Sequence, residues 1–240
     1  MKVSLISHTP NAADLLLFTK STRLTLSPSL MDDIRGWSDE KKAQELAYVS
    51  GTIPSSWEFV DYVFMIEGVS RAFTHQFVRT RNGSYAQQTL RVLDVGEYDY
   101  VFTDRNKADK VQMSLISKTN TYIQRAYRAM LQAGVAPEDA RGILPTNIAT
   151  NIVAKFNLRT LSELCKSRTG GRTQGEYQHV INAMADAVLA VHPWADKFLF
   201  PQGRDLYKEI EDFAAEEFGG DLLKKGRLLK IVDKLRKGEN

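Results

Sequence analysis

GVSRAFTHQFVRTRNGSYAQQTLRVL, residues 68–93, holds Arg71, Arg79, Arg81 and Arg91 and no acidic residue. Gln76, Asn82, Ser84, Gln87, Gln88 and Thr89 are interleaved with them. An arginine without a carboxylate partner is costly to bury. Two readings therefore stand on composition alone. Either the segment is an exposed, solvated basic loop, or an anion supplies the counter-charge. The guanidinium fork suits phosphate, and a Gln or Asn amide can read the edge of a base. The flanks supply elements to carry it. Residues 60–66 have the β-branched and aromatic content of a strand, which Gly68 is expected to end. Ser70 then caps a short helix running towards Arg79, and residues 90–95 read as a brief strand.

Outward from there the pattern stays α+β. Residues 2–7 alternate apolar and polar as a first strand, and residues 147–156 read as another. Ser38 opens a capped helix over 39–49 with Glu40 in its first turn. A long helix is expected over 107–132, with Ile116, Ile123, Tyr127 and Met130 on one face. Pro137 starts a short turn over 138–143 that Leu144-Pro145 closes. Helices are also expected over 158–166, 173–191, 205–218 and 222–237; Tyr177, Val180, Ile181, Met184 and Val188 share a face of the third-last, and Gly219-Gly220 splits the last two. A small mixed or antiparallel sheet packed with long helices follows.

The segment 157–178, NLRTLSELCKSRTGGRTQGEYQ, places Arg159, Lys166, Arg168 and Arg172 around Gly170-Gly171. The glycine pair is either an ordinary corner between helices or a place where backbone N–H groups approach a ligand closely. Arg141, before Leu144-Pro145, offers a third contact. Arginines from several separate segments suit a ligand with more than one phosphate, such as a nucleotide together with a dinucleotide cofactor.

Composition narrows the class. The chain has 240 residues, 43% hydrophobic and 25% charged, the profile of a globular protein rather than a disordered chain, a collagen or a coiled-coil rod. Cys165 is the one cysteine, which excludes an internal disulfide and a cysteine-cluster zinc site. His8, His75, His179 and His192 lack metal-ligand spacing, so no metal site is expected. Cys165, beside Leu161 and Leu164, reads as a buried small hydrophobe rather than a nucleophile. The standard phosphate-binding glycine loops and the G-x-S-x-G elbow do not occur. The N-terminus does not read as a signal peptide, and no run approaches a membrane span, so a cytoplasmic protein without a membrane partner is expected. Net charge is +3, and residues 221–240 hold seven Lys/Arg against three Asp/Glu. That basic tail reads first as a solvated helix face that packs on something, and second as a contact for nucleic acid. Residues 1–240 are expected to form one domain with a basic helical C-terminal extension over about 200–240.

These segments resemble the flavin-dependent thymidylate synthases. The family signature R-H-R-x-x-S-x-N/Q-E/Q-x-S-x-R-Y reads here Arg79-Thr80-Arg81-Asn82-Gly83-Ser84-Tyr85-Ala86-Gln87-Gln88-Thr89-Leu90-Arg91-Val92. The lead-in FMIEGVSRAFTHQ (64–76), Ala140-Arg141 with Leu144-Pro145, Asn157-Leu158-Arg159, and Arg168 six residues before Gln174 match family blocks in order. The resemblance covers residues 50–195 and implies a single flavin-dependent thymidylate synthase-like domain. It also implies FAD as cofactor, methylene-tetrahydrofolate and NADPH as co-substrates, and transfer of a one-carbon unit to C5 of a pyrimidine deoxynucleotide monophosphate, dUMP first. No cysteine nucleophile takes part, and the family is a homotetramer with active sites shared between subunits.

Carried over by position, Gln76, Arg79, Gln87, Gln88, Thr89, Leu90, Arg91 and Arg141 hold the nucleotide. Arg168 resembles the catalytic arginine, which lies against the pyrimidine and stabilises charge developing at N3. Ser55, Arg79, Thr80, Arg81, Gln87, Asn157, Arg159 and Glu163 match flavin-contacting positions. The departures are on the flavin and folate side. The central His of R-H-R is Thr80, an upstream His is Ile53 (with Glu58 in place), and a third His is Arg172. Thr89 stands for Ser, Val92 for the closing Tyr, and Glu163 where Asn or His is usual. A threonine hydrogen-bonds but does not stack, and an isoleucine does neither. Two alternatives therefore stay open: a flavin-dependent hydroxymethylase of dUMP or dCMP, and a non-catalytic homologue that binds nucleotide or nucleic acid.

Overall fold

Alternating burial along two strands sets the centre of the molecule. In β2 (Asp61–Ser70) Tyr62, Phe64 and Ile66 are buried, and in β4 (Ala149–Asn157) Thr150, Ile152, Ala154 and Phe156. That period of two gives each strand one core face. β2 and β4 pair antiparallel, β1 (Lys2–His8) lies outside β2, and β3 (Ser84–Gln87) lies outside β4, so the order is β1-β2-β4-β3. All pairings are antiparallel, which resolves the expected mixed or antiparallel sheet.

The computed structural model describes residues 1–24, 27–90, 98–168, 175–201, 210, 211, 213, 214, 218 and 221–237. Along the chain the helices are α1 (Ala12–Ser21), α2 (Leu30–Arg35), α3 (Asp39–Ser50), α4 (Arg71–Phe77), α5 (Asp104–Ala108) and α6 (Lys110–Gln132). After these come α7 (Pro137–Ala140), α8 (Leu158–Arg168), α9 (Gly175–Val191), α10 (Asp196–Leu199) and a C-terminal helix, Leu222–Lys237. Short 3₁₀ turns cover Pro54–Phe59, Arg141–Ile143 and Pro193–Ala195. Two compact units form, residues 1–101 with 122–202, and residues 102–121 with 203–240. The first holds the sheet, with α8 against β4 and α9 against β1 and β2. Tyr177, Val180, Ile181, Met184 and Val188, the expected stripe, are all buried in α9, and Cys165 is buried.

Two expectations are corrected, and one strand was not foreseen. Gly68 does not end the second strand: it adopts φ +66 at a bulge between Ile66 and Val69, and pairing resumes to Ser70. Only glycine takes that conformation cheaply, and its backbone N–H is held by Asn151 Oδ1 at 3.0 Å. The helix expected over 107–132 is broken at Asp109 (φ −113, ψ 109). The Asp109 carboxylate accepts from the N–H groups of Val111 and Gln112 at 2.8 and 3.1 Å, starting α6 afresh. A short edge strand, Ser84–Gln87, that the sequence did not suggest pairs with β4, and the strand expected over 90–95 falls almost wholly outside the described residues. Residues 91–97, most of 205–218 and Gly219-Gly220 lie outside the described residues.

Candidate active site

The turn from β2 into α4 is held by a set of backbone and side-chain hydrogen bonds. Ser70 Oγ accepts from Phe73 N–H at 3.0 Å and caps α4. Glu176, in the first turn of α9, accepts from Ser70 N–H and from its hydroxyl, each at 2.6 Å. The N–H groups of Arg71 and Ala72 donate to the carbonyls of Ile148 and Thr146. These bonds satisfy donors that the first turn of a helix leaves open.

Arg71 stands at the first position of that helix. One Nη donates to the Gln88 carbonyl at 2.5 Å, while Nε is closed to solvent with no hydrogen-bond partner. Burial, and then the charge of Arg141, holds its pKa below the ordinary guanidinium value. Arg141, exposed in the turn after α7, is oriented by a 3.1 Å bond from its Nε to the Glu138 carbonyl. The two guanidiniums are thus within electrostatic reach of one another, with no carboxylate paired to either among the described residues. Gln88 beside them is tied to β4, its N–H to the Asn151 carbonyl at 3.0 Å and its Oε1 to Asn151 Nδ2 at 3.4 Å. Sequence reasoning named Arg141 as a nucleotide contact and counted Arg71 only as one of four clustered arginines, with no assigned contact. The signal was available, because Ser70-Arg71 puts an arginine immediately after a helix cap.

Gln87 donates its amide to Thr74 Oγ1 at 2.9 Å and to Thr150 Oγ1 at 3.4 Å, which leaves its carbonyl oxygen for a ligand. Gln76 and Thr89 are exposed, and Leu90 is half-buried. Arg91, expected to complete the nucleotide set, lies outside the described residues, as do Arg172 and Gln174.

Arg79, Thr80 and Arg81 form the turn after α4. The Tyr85 hydroxyl donates to the carbonyls of Thr80 at 2.7 Å and Phe77 at 3.2 Å. Burial pushes that phenol up to about 12, so it remains a donor at any ordinary pH. Arg79 and Arg81 are exposed and have no acidic partner among the described residues. Arg168 ends α8, its guanidinium over the Tyr177 ring.

A second cluster surrounds the start of α8. Asn157 Oδ1 accepts from Thr160 N–H at 2.8 Å, so this expected flavin contact is also a helix cap. Arg159 bonds Glu58 at 2.6 Å and Glu163 at 3.2 Å, and these carboxylates raise its pKa. Ser55 accepts from Arg23 at 2.7 Å. Among the described residues no hydrogen bond or ion pair joins this cluster to Arg79 or Arg81. A cavity of about 410 Å³ elsewhere, lined by Tyr98, Asp99, Gln124 and Arg128, contains none of the expected residues. No group of three metal-ligating side chains occurs among the described residues.

An antiparallel sheet whose strand-to-helix turn carries Arg71, near Arg141 and without a paired carboxylate among the described residues, offers charge that an anion could balance. Residues 4–194 match the family model described as thymidylate synthase complementing protein, and the chain belongs to that family. It is similar to the flavin-dependent thymidylate synthase of Nitratidesulfovibrio vulgaris, 32% identical over 79% of this chain and 81% of the relative. That of Geobacter sulfurreducens is 30% identical over 80% and 84%, and that of Clostridium tetani 28% identical over 84% and 87%. No helix among the described residues is long and apolar enough to cross a membrane.

Proposed function

We propose that this protein is a flavin-dependent one-carbon transferase that methylates C5 of a pyrimidine deoxynucleotide monophosphate, dUMP to dTMP. The observation that carries the reading is Arg71, its Nε closed to solvent without a partner and within electrostatic reach of Arg141, neither paired to a carboxylate among the described residues, inside the segment that matches the family. A nucleotide phosphate is the counter-charge such a pair calls for. Gln76, Arg79, Gln87, Gln88, Thr89, Leu90, Arg91 and Arg141 then hold the nucleotide, and Arg71 joins them. Arg168 stabilises negative charge that develops on the ring, acting as a fixed cation rather than a base.

The relatives' printed names call for a flavin; we take it to be FAD, with methylene-tetrahydrofolate and NADPH as co-substrates. The residues present fit a dinucleotide: Arg79 and Arg81 are exposed cations without acidic partners among the described residues, suited to a pyrophosphate. With Ser55, Thr80, Gln87, Asn157, Arg159 and Glu163 they would hold it. When bound, and once reduced by NADPH, the flavin would supply the two electrons that turn a transferred methylene into a methyl group. Arg159 is already clasped by Glu58 and Glu163, so those carboxylates must share it with the cofactor. The family resemblance supports sites completed between subunits of a homotetramer, with residues 1–240 acting as one domain and its extension.

A second reading is hydroxymethylation of dUMP or dCMP, in which the methylene unit takes up water and no electrons. Ile53, 66% exposed where the family carries a histidine, and Thr80 in the signature favour it. One sample tests both. Its absorbance spectrum shows whether flavin is held, and the product mass from dUMP and dCMP separates methyl from hydroxymethyl. No flavin after incubation with FAD, and no product, would overturn the enzyme reading in favour of a nucleotide-binding scaffold.

A further inference from the structure

Arg168 and Tyr177 sit on consecutive helices, and the guanidinium carbon of Arg168 stands 5.0 Å from the centroid of the Tyr177 ring. That ring is fully buried. It meets Phe73 edge-on at 5.1 Å and Phe77 at 6.0 Å, both on α4. Arg168 Nε is closed to solvent with no hydrogen-bond partner, and so is the Tyr177 hydroxyl. A half-buried cation lacking an acceptor needs some other source of stabilisation, and the face of an aromatic ring supplies one, more strongly where water is excluded.

We propose that Tyr177 is the positioning residue for Arg168, and that its ring, not its hydroxyl, sets the attitude of the guanidinium towards the nucleotide. The inference rests on the reading of Arg168 given above. A carboxylate in this place would consume the arginine's N–H donors and cancel its charge. A π face holds the cation and leaves those donors for negative charge that develops on a ligand. The ring is itself immobilised by α4, the helix that carries Arg71 and Gln76 and leads into Arg79. Phe77 also packs on Tyr85 at 5.6 Å, and Tyr85 holds the Thr80 carbonyl. One aromatic layer thereby sets Arg168 against the segment that supplies the nucleotide contacts. An aliphatic side chain at position 177 would fill the space without offering a face.

The test measures the dissociation constant for dUMP by calorimetry, and thermal stability, for Tyr177→Leu, Tyr177→Phe, Arg168→Ala and Tyr177→Leu with Arg168→Ala. Binding remains measurable when turnover is lost. Tyr177→Leu is expected to weaken binding about 5- to 20-fold, and by less than about twofold when Arg168 is already alanine. Tyr177→Phe, which keeps the ring, is expected to restore binding to about the wild-type value and to melt no lower, since it removes a buried, unpartnered hydroxyl. Equal loss in the Phe and Leu variants, or an undiminished Leu effect without Arg168, would overturn the proposal. Where the leucine variant does not fold, Tyr177→Met serves in its place. Unchanged binding in Arg168→Ala overturns the placement of Arg168 and this inference with it. Weakened binding there, with Tyr177→Leu at the wild-type value, overturns the inference alone.

Discussion

Glu176 accepts two hydrogen bonds from Ser70, one from the backbone N–H and one from the hydroxyl, both at 2.6 Å. This pair ties the start of α9 to the start of α4 across 106 positions of sequence. Ser70 is 3% exposed, so water cannot replace the lost acceptor. Glu176→Ala is expected to cost about 2–3 kcal/mol and to lower the melting temperature by about 5–10 °C. Glu176→Gln keeps one acceptor and should lose less. Thermal melts of both variants check this.

Arg71→Ala and Arg141→Ala should each weaken dUMP binding about 10- to 100-fold, the worth of a charged hydrogen bond. Deoxyuridine, which lacks the phosphate, should bind all three proteins alike. Calorimetry with nucleotide and nucleoside separates a phosphate contact from general damage. Equal loss for both ligands would remove these arginines from the phosphate.

Gly83 has no room for a side chain. A Cβ there would stand 2.5 Å from Phe156 Cε1 and 2.7 Å from the Tyr85 hydroxyl. Gly83→Ala must displace Tyr85 and with it the bond to the Thr80 carbonyl. A cost of about 1–3 kcal/mol is expected from overpacking, together with weaker flavin retention as the Arg79–Arg81 turn shifts. Urea unfolding and the flavin-to-protein absorbance ratio check the two parts.

His192 accepts or donates at Tyr62 Oη over 3.1 Å and meets His8 edge-on at 4.6 Å. Burial, and then the neighbouring His8, lowers its pKa to about 4. The unfolded chain, with the ordinary value near 6.5, binds the proton more readily. Stability from this site is therefore full above pH 6.5 and is lost as pH falls towards 4. Because the group is half-exposed, the loss is expected to be about 1 kcal/mol after screening. His192→Phe should flatten the slope of melting temperature between pH 6.5 and 4.

Periodicity exposed much of the fold. The α9 stripe and the Ser38 and Ser70 caps were readable because each is a local pattern, complete within a few residues. Ser84–Gln87 was not, since its short segment carries no clear alternation and becomes a strand by pairing with β4. The Gly68 bulge was hidden for the same reason: a glycine in a strand signals a stop and a bulge equally. At the site, the resemblance supplied Arg141 and Arg168. Two features required three dimensions: the approach of Arg71 to Arg141, distant in sequence, and the capture of Arg159 by Glu58, 101 positions away.

The confrontation of Arg71 with Arg141 also affects how long the molecule survives. If this pair binds the nucleotide phosphate as proposed, the ligand-free chain is the weaker form. A ligand that binds only the folded state adds about 2.7 kcal/mol at a hundred times its dissociation constant. Degradation draws on the unfolded fraction, which shrinks accordingly. The abundance of this protein in a cell should therefore follow the pool of its own nucleotide, through mass action alone and without any dedicated regulator.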